Sequence, residues 1–127
     1  MLETSAQLLA EKVSSIIHGK KWESIVFHAI LLENSFQFDI FYQFIGMDCY
    51  EKDTNLVESG LIQRNELIRC YFNLRKIIRD SLLQNNAPPI TGITMTIKQS
   101  GRFSIDYEYE EQEIVCSDEW KHHYLVY

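Results

Sequence analysis

The sequence predicts an α+β fold: a mostly antiparallel sheet of four to five strands with helices packed largely on one face, in the order α-β-β-(β)-α-β-β-α. Three observations carry this prediction. The strand-like segments come in adjacent pairs joined by short polar turns, which dictates hairpins and antiparallel pairing. The long apolar-periodic segments repeat at helical spacing. Gly, Pro and Asn clusters punctuate the boundaries between them. At 127 residues the chain fits a single domain, 1–127, large enough to bury a core without metal or disulfide staples. A hydrophobic content of 46% against 24% charged residues suits a globular chain and excludes a disordered tail.

Thr4 with Gln7 fits a capping box at the start of the first helix. Ala6, Leu9, Ala10, Val13, Ile16 and Ile17 then form one apolar stripe, and Gly19 is the expected stop. In the next segment, 24–33, Ile25, Phe27, Ala29 and Leu31 line one face. Val26, His28, Ile30 and Leu32 line the other, so both faces are apolar and the strand reads as central. Asn34 and Ser35 suit a hairpin. Segment 36–45 alternates, with Phe36, Phe38, Ile40, Tyr42 and Phe44 toward the core and Gln37, Asp39, Phe41, Gln43 and Ile45 toward a partly wet side. Gly46 ends it, and 47–51 is a candidate short third strand.

Residues 52–60 are polar and read as a loop. A long helix over 62–83 buries Leu67, Cys70, Tyr71, Leu74, Ile77, Ile78 and Leu82, leaving Arg69, Asn73, Lys76 and Asp80 opposite. Asn85-Asn86-Ala87-Pro88-Pro89 terminates it, because Pro cannot continue the ladder and expels its predecessor from helical geometry. In 90–99, Ile93, Met95 and Ile97 face in and Thr94, Thr96 and Lys98 face out. Ser100-Gly101 turns the chain into 102–110, where Phe103, Ile105, Tyr107 and Tyr109 oppose Arg102, Ser104, Asp106 and Glu108. Ser117 caps a final helix on which Trp120, Tyr124 and Tyr127 share a face.

No catalytic motif stands out. There is no GxSxG elbow, HExxH, P-loop or GxGxxG. His122 and His123 point about 100° apart on a helix and do not converge on one ligand position. His28 reads as a core histidine or a buried switch. The three cysteines, Cys49, Cys70 and Cys116, lack CxxC spacing, so reduced thiols in a cytoplasmic protein are expected. Cys70 lies on the buried helix stripe, and acids flank Cys116, which blunts it as a nucleophile. No metal site, cofactor or catalytic residue is expected. Neither is a signal peptide or an apolar run of the ~20 residues needed to cross a membrane.

The charge distribution is the most informative feature. Residues 1–105 hold 11 acids and 11 bases, whereas 106–127 hold seven acids and one base, Lys121. The entire net charge of −6 therefore lies in the last sixth of the chain. Such a surface repels phosphate, which argues against direct binding of nucleic acid, and it fits a basic protein partner. Asp106, Glu108 and Glu110 recur at strand period, and Glu111 and Glu113 extend the row. Tyr107, Tyr109, Tyr124 and Tyr127 are interleaved or near in sequence. Carboxylates steer association and pair with Arg or Lys, while Tyr gives contact area at low entropy cost. The same pattern also suits a solvated face, and, for Tyr107 and Tyr109, core packing. A carboxylate row can also hold a divalent cation, which keeps a small metal-dependent hydrolase as an alternative. An intracellular adaptor is the other.

The segment Ser100-Gly101-Arg102-Phe103-Ser104-Ile105-Asp106-Tyr107-Glu108-Tyr109 resembles the turn-and-strand signature of the YezG-like antitoxin family. The order of elements, Trp22-Glu23 before the first strand and Trp120 near the end agree over nearly the whole chain. The resemblance implies an immunity protein, not an enzyme, that binds and neutralises the toxin domain of a secreted polymorphic effector, commonly a nuclease. The expected partner is thus a cognate, basic, nuclease-like toxin domain. The residues expected to hold it are Asp106, Glu108, Tyr109, Glu110, Glu111, Glu113 and Tyr124. One departure is the long helix, acidic in the family but basic here through Arg64, Arg69, Arg75, Lys76 and Arg79. Toxin and immunity surfaces diverge together, so a different cognate toxin is expected. The oligomeric state stays open.

Overall fold

A computed structural model describes residues 5–32, 35–84 and 90–109. Helix α1 spans Ala6–Ser15, followed by strands β1 (Trp22–Leu31), β2 (Phe36–Phe44) and β3 (Glu51–Lys52). Helices α2 (Asp53–Ser59) and α3 (Arg64–Gln84) come next, then strands β4 (Gly92–Lys98) and β5 (Phe103–Glu108). The strands form one five-stranded sheet, order β3-β2-β1-β4-β5, with every pairing antiparallel. The α+β architecture expected from the hairpin pairs is thus the one observed. The Thr4 cap, the Pro88-Pro89 stop and the helix expected after Ser117 lie outside the described residues.

Alternation decides the core. Ile25, Phe27 and Ala29 of β1 share a face with Ile40, Tyr42 and Phe44 of β2 and Ile93, Met95 and Ile97 of β4. Ala6, Leu9 and Val13 of α1, Leu56 of α2 and Leu67, Cys70, Leu74 and Ile78 of α3 pack onto that face. Tyr42 is fully buried there, and its hydroxyl donates to the Val13 carbonyl at 2.6 Å, which ties the sheet to α1. The other face of the sheet also has a buried centre. Val26, His28 and Ile30 are buried there, as the apolar character of both faces of β1 predicts, and Asp39, Phe41 and Thr94 of the flanking strands are buried beside them.

Four expectations need correction. The 52–60 loop is instead the end of β3 and a short helix, α2. Asp53, Leu56 and Val57 recur on one side of it and point inward, while Thr54, Asn55, Glu58 and Ser59 gave the segment its polar look. Gly60 closes α2 at φ 87°, donating its N–H to the Leu56 and Val57 carbonyls. The 47–51 strand reduces to Glu51–Lys52. Helix α1 stops at Ser15, short of Gly19, which takes φ 77° in the following turn. Thr94, expected to face water, is 1% exposed because it sits mid-sheet between β1 and β5.

Candidate functional site

Strand β5 exists because Gly101, at φ 93°, reverses the chain tightly enough for Lys98 N–H to reach the Arg102 carbonyl at 2.8 Å. The register places Asp106 opposite Thr94 and Glu108 opposite Gly92. Both carboxylates therefore share the face of the sheet that carries His28. Asp106 is exposed and Glu108 half-buried. Burial, and next the adjacent Asp106 charge, raises the Glu108 carboxyl above the ordinary range. β5 ends the sheet order, so its row of acids lies along an edge.

This edge connects to a polar line that crosses the sheet. His28 is in register with Asp39 on one side and Thr94 on the other, and Thr94 with Asp106. Lys52 Nζ reaches Asp39 Oδ1 at 3.1 Å, which brings β3 into the line. His28 Nε2 lies 4.0 Å from Glu108 Oε1. His28 is only 2% exposed, and burial depresses its pKa from 6.5 to about 4 despite the opposing pull of Asp39. The imidazole is consequently neutral at physiological pH. The sequence marks His28 as a core histidine or a buried switch. Its alignment with Asp39 and Thr94 follows only from the hairpin register, which places 28 opposite 39.

Of the residues expected to bind a partner, Asp106, Glu108 and Tyr109 are brought to this edge, with Tyr109 52% exposed. Tyr107, by contrast, turns with Ile105 toward the core. Glu110, Glu111, Glu113 and Tyr124 lie outside the described residues. Among the described residues, no group of three His, Cys, Asp or Glu side chains is placed to hold a metal ion. No described helix is long and apolar enough to cross a membrane. Among the described residues Cys49 and Cys70 form no disulfide, and burial, followed by the nearby Asp53 charge, pushes Cys70 up to about 12.

A second polar cluster is internal. Asp53, fully buried at the start of α2, accepts hydrogen bonds from Thr54 N–H at 2.8 Å and from the Tyr71 hydroxyl. Burial raises the Asp53 carboxyl, and the two donors pull it back. The Tyr71 bond ties α2 to α3.

The decisive observation for identity is that the family model for YezG-like immunity proteins matches residues 2–126. The chain belongs to the YezG-like immunity protein family. It is also similar to the immunity protein YezG of Bacillus spizizenii, with 23% identity over 108 residues. That alignment covers 83% of this chain and 66% of the relative, so the chain spans about two thirds of that protein's length. Within the YezG-like frame, the Ser100–Tyr109 signature is the β4–β5 turn, strand β5 and the residue after it. The segment in which the sequence resembles the family signature is therefore also the one that carries the exposed Asp106 and the half-buried Glu108.

Proposed function

We propose that this chain binds a cognate toxin domain and neutralises it by stoichiometric protein–protein inhibition, with the acidic end of the chain as the docking surface. Membership of an immunity family supports the role. The observation that carries the site is the charge asymmetry: the whole net charge of −6 falls in residues 106–127, which begin on the exposed edge strand. Asp106, Glu108 and Tyr109 form the described part of this surface, and Glu110, Glu111, Glu113 and Tyr124 continue it in sequence. The toxin it fits is basic, as a nuclease that handles phosphate backbones must be. The proposed role places the protein in the cytoplasm of the producing cell, and the absence of CxxC spacing among Cys49, Cys70 and Cys116 fits that compartment.

The mechanism follows from complementarity. Carboxylates on an edge strand steer a cationic surface into contact, and the neighbouring rings exclude water once contact is made. Effective neutralisation calls for an affinity near nanomolar, about −12 kcal/mol. A standard interface of roughly 1,600 Å² with a few charged and aromatic anchors supplies that. Catalysis finds no support in the polar line. His28, Asp39 and Thr94 are 2%, 6% and 1% exposed, so a substrate has little access to their atoms.

The test is charge reversal. Glu108→Lys, Glu110→Lys and Glu111→Lys combined should weaken neutralisation of the co-encoded toxin at least about tenfold, roughly 1.4 kcal/mol, with the fold retained. Full protection by the triple variant in a co-expression growth assay rejects the acidic end as the docking surface.

A further inference from the structure

Helix α3 has a second stripe that neither the core nor the acidic edge uses. Its inward face is occupied by Leu67, Cys70, Leu74 and Ile78. On an adjacent side, Ile68 and Phe72 stand 48% and 66% exposed, and Arg75 follows at the same helical face. An exposed Phe one helical turn from an exposed Ile is an unusual use of surface. The pair forms one wall of a cleft of about 610 Å³, whose other wall is the start of β2 with Phe36 and Phe38. The floor is aromatic: Phe38 packs against Tyr71 at 5.6 Å and against Phe36 at 6.0 Å between ring centroids.

Arg75 sets the polarity of this cleft. Its guanidinium carbon lies 5.8 Å from the Phe36 ring centroid. Its Nε is buried and makes no hydrogen bond among the described residues. A buried guanidinium donor calls for an acceptor, and a carboxylate is the group that matches its fork. The surrounding helix agrees in sign, with Arg64, Arg69, Arg75, Lys76 and Arg79 against Glu66 and Asp80.

We propose that the α3–β2 cleft is a docking site for a segment of another protein that presents a large apolar side chain flanked by carboxylates. The apolar group enters the aromatic cleft, and a carboxylate pairs with Arg75. This goes beyond the toxin reading and is independent of the acidic edge, because it concerns the opposite charge on a different element. Nucleic acid fits less well, since the chain as a whole carries −6. The occupant is a different protein; a second copy, whose acidic end can meet α3 reciprocally across a two-fold axis, is the outcome that sedimentation detects.

The probe is a fluorescein-labelled peptide, Asp-Glu-Leu-Phe-Glu-Asp, titrated with the full chain by fluorescence polarisation. Saturable binding with Kd on the order of 10–100 µM is expected. Phe72→Asp and Arg75→Glu should each weaken it about tenfold or more, while a Lys-Arg-Leu-Phe-Arg-Lys peptide binds at least about tenfold less tightly than the acidic one. Phe72 is exposed, so Phe72→Asp keeps the test valid even if Arg75→Glu disturbs packing on Phe36. No saturation below about 1 mM overturns the proposal. So does equal binding of both peptides, or binding that Phe72→Asp leaves unchanged. Displacement of the peptide by a single-stranded oligonucleotide would reassign the cleft to nucleic acid. Sedimentation of the chain as an oligomer that Phe72→Asp dissolves would reassign it to self-association.

Discussion

His28 should make the fold acid-sensitive, by an amount that can be worked out. In the unfolded chain its imidazole takes up a proton near the ordinary pKa of 6.5, whereas in the folded protein burial holds protonation off until about 4. Between those values the unfolded state binds more protons, so stability falls as pH falls through that window. Above 6.5 the residue carries no penalty. At pH 4.5 the displacement amounts to roughly 2 kcal/mol relative to pH 7. The groups facing His28 are Asp39 on β2 and Glu108 on β5, 4.0 Å away. The raised Asp53 carboxyl acts in the opposite direction at acid pH, but it is common to wild type and variant and cancels in their difference. Urea unfolding of wild type and His28→Gln, followed by circular dichroism at pH 7 and 4.5, measures the effect. The wild-type midpoint should drop by about 1 M more than that of the variant, taking a urea slope of about 2 kcal/mol per molar. Equal losses in the two proteins would refute the burial account of His28.

Other consequences of the packing are accessible by thermal or chemical denaturation. Tyr71→Phe removes a donor from the buried Asp53 carboxylate and should cost about 1.5–3 kcal/mol at pH 7. The loss should shrink at low pH, where protonation of Asp53 removes the unpaired charge. Tyr42→Phe strands the Val13 carbonyl and should cost about 1–3 kcal/mol with no change in secondary structure by circular dichroism. Gly60→Ala meets no atom within 4 Å, so its expected cost of about 1 kcal/mol comes from the left-handed backbone alone. An equal cost for Gly60→Asn would count against that, since Asn tolerates the conformation better.

The strands and long helices were legible because each buries a periodic stripe. The inward set of α3, Leu67, Cys70, Leu74 and Ile78, stands in the sequence at spacings of three and four. The edge position of β5 is not in the sequence, since strand order depends on which hairpin docks beside β1. Helix α2 is not legible because seven residues give too few repeats to reveal a period, and its inward Asp53 looks like a loop residue. Alternation puts Thr94 on the outward face but does not give its depth of burial there. At the site, composition showed where the charge lies. The cross-sheet line of Lys52, Asp39, His28, Thr94 and Asp106 needs the register of three strand pairs and the Lys52–Asp39 ion pair. The exposed Ile68 and Phe72 broke the rule that apolar residues go inside, and only the packing of α3 against β2 reveals the cleft they border.

The proposed role as a stoichiometric inhibitor is tested most directly by titrating a fixed amount of the co-encoded toxin domain with this protein and following residual toxin activity. Inhibition should be linear in added protein and complete at one equivalent, with a complex of the two chains recoverable by size exclusion. Abolition of toxin activity at a hundredth of an equivalent, or full activity at an excess, would contradict it.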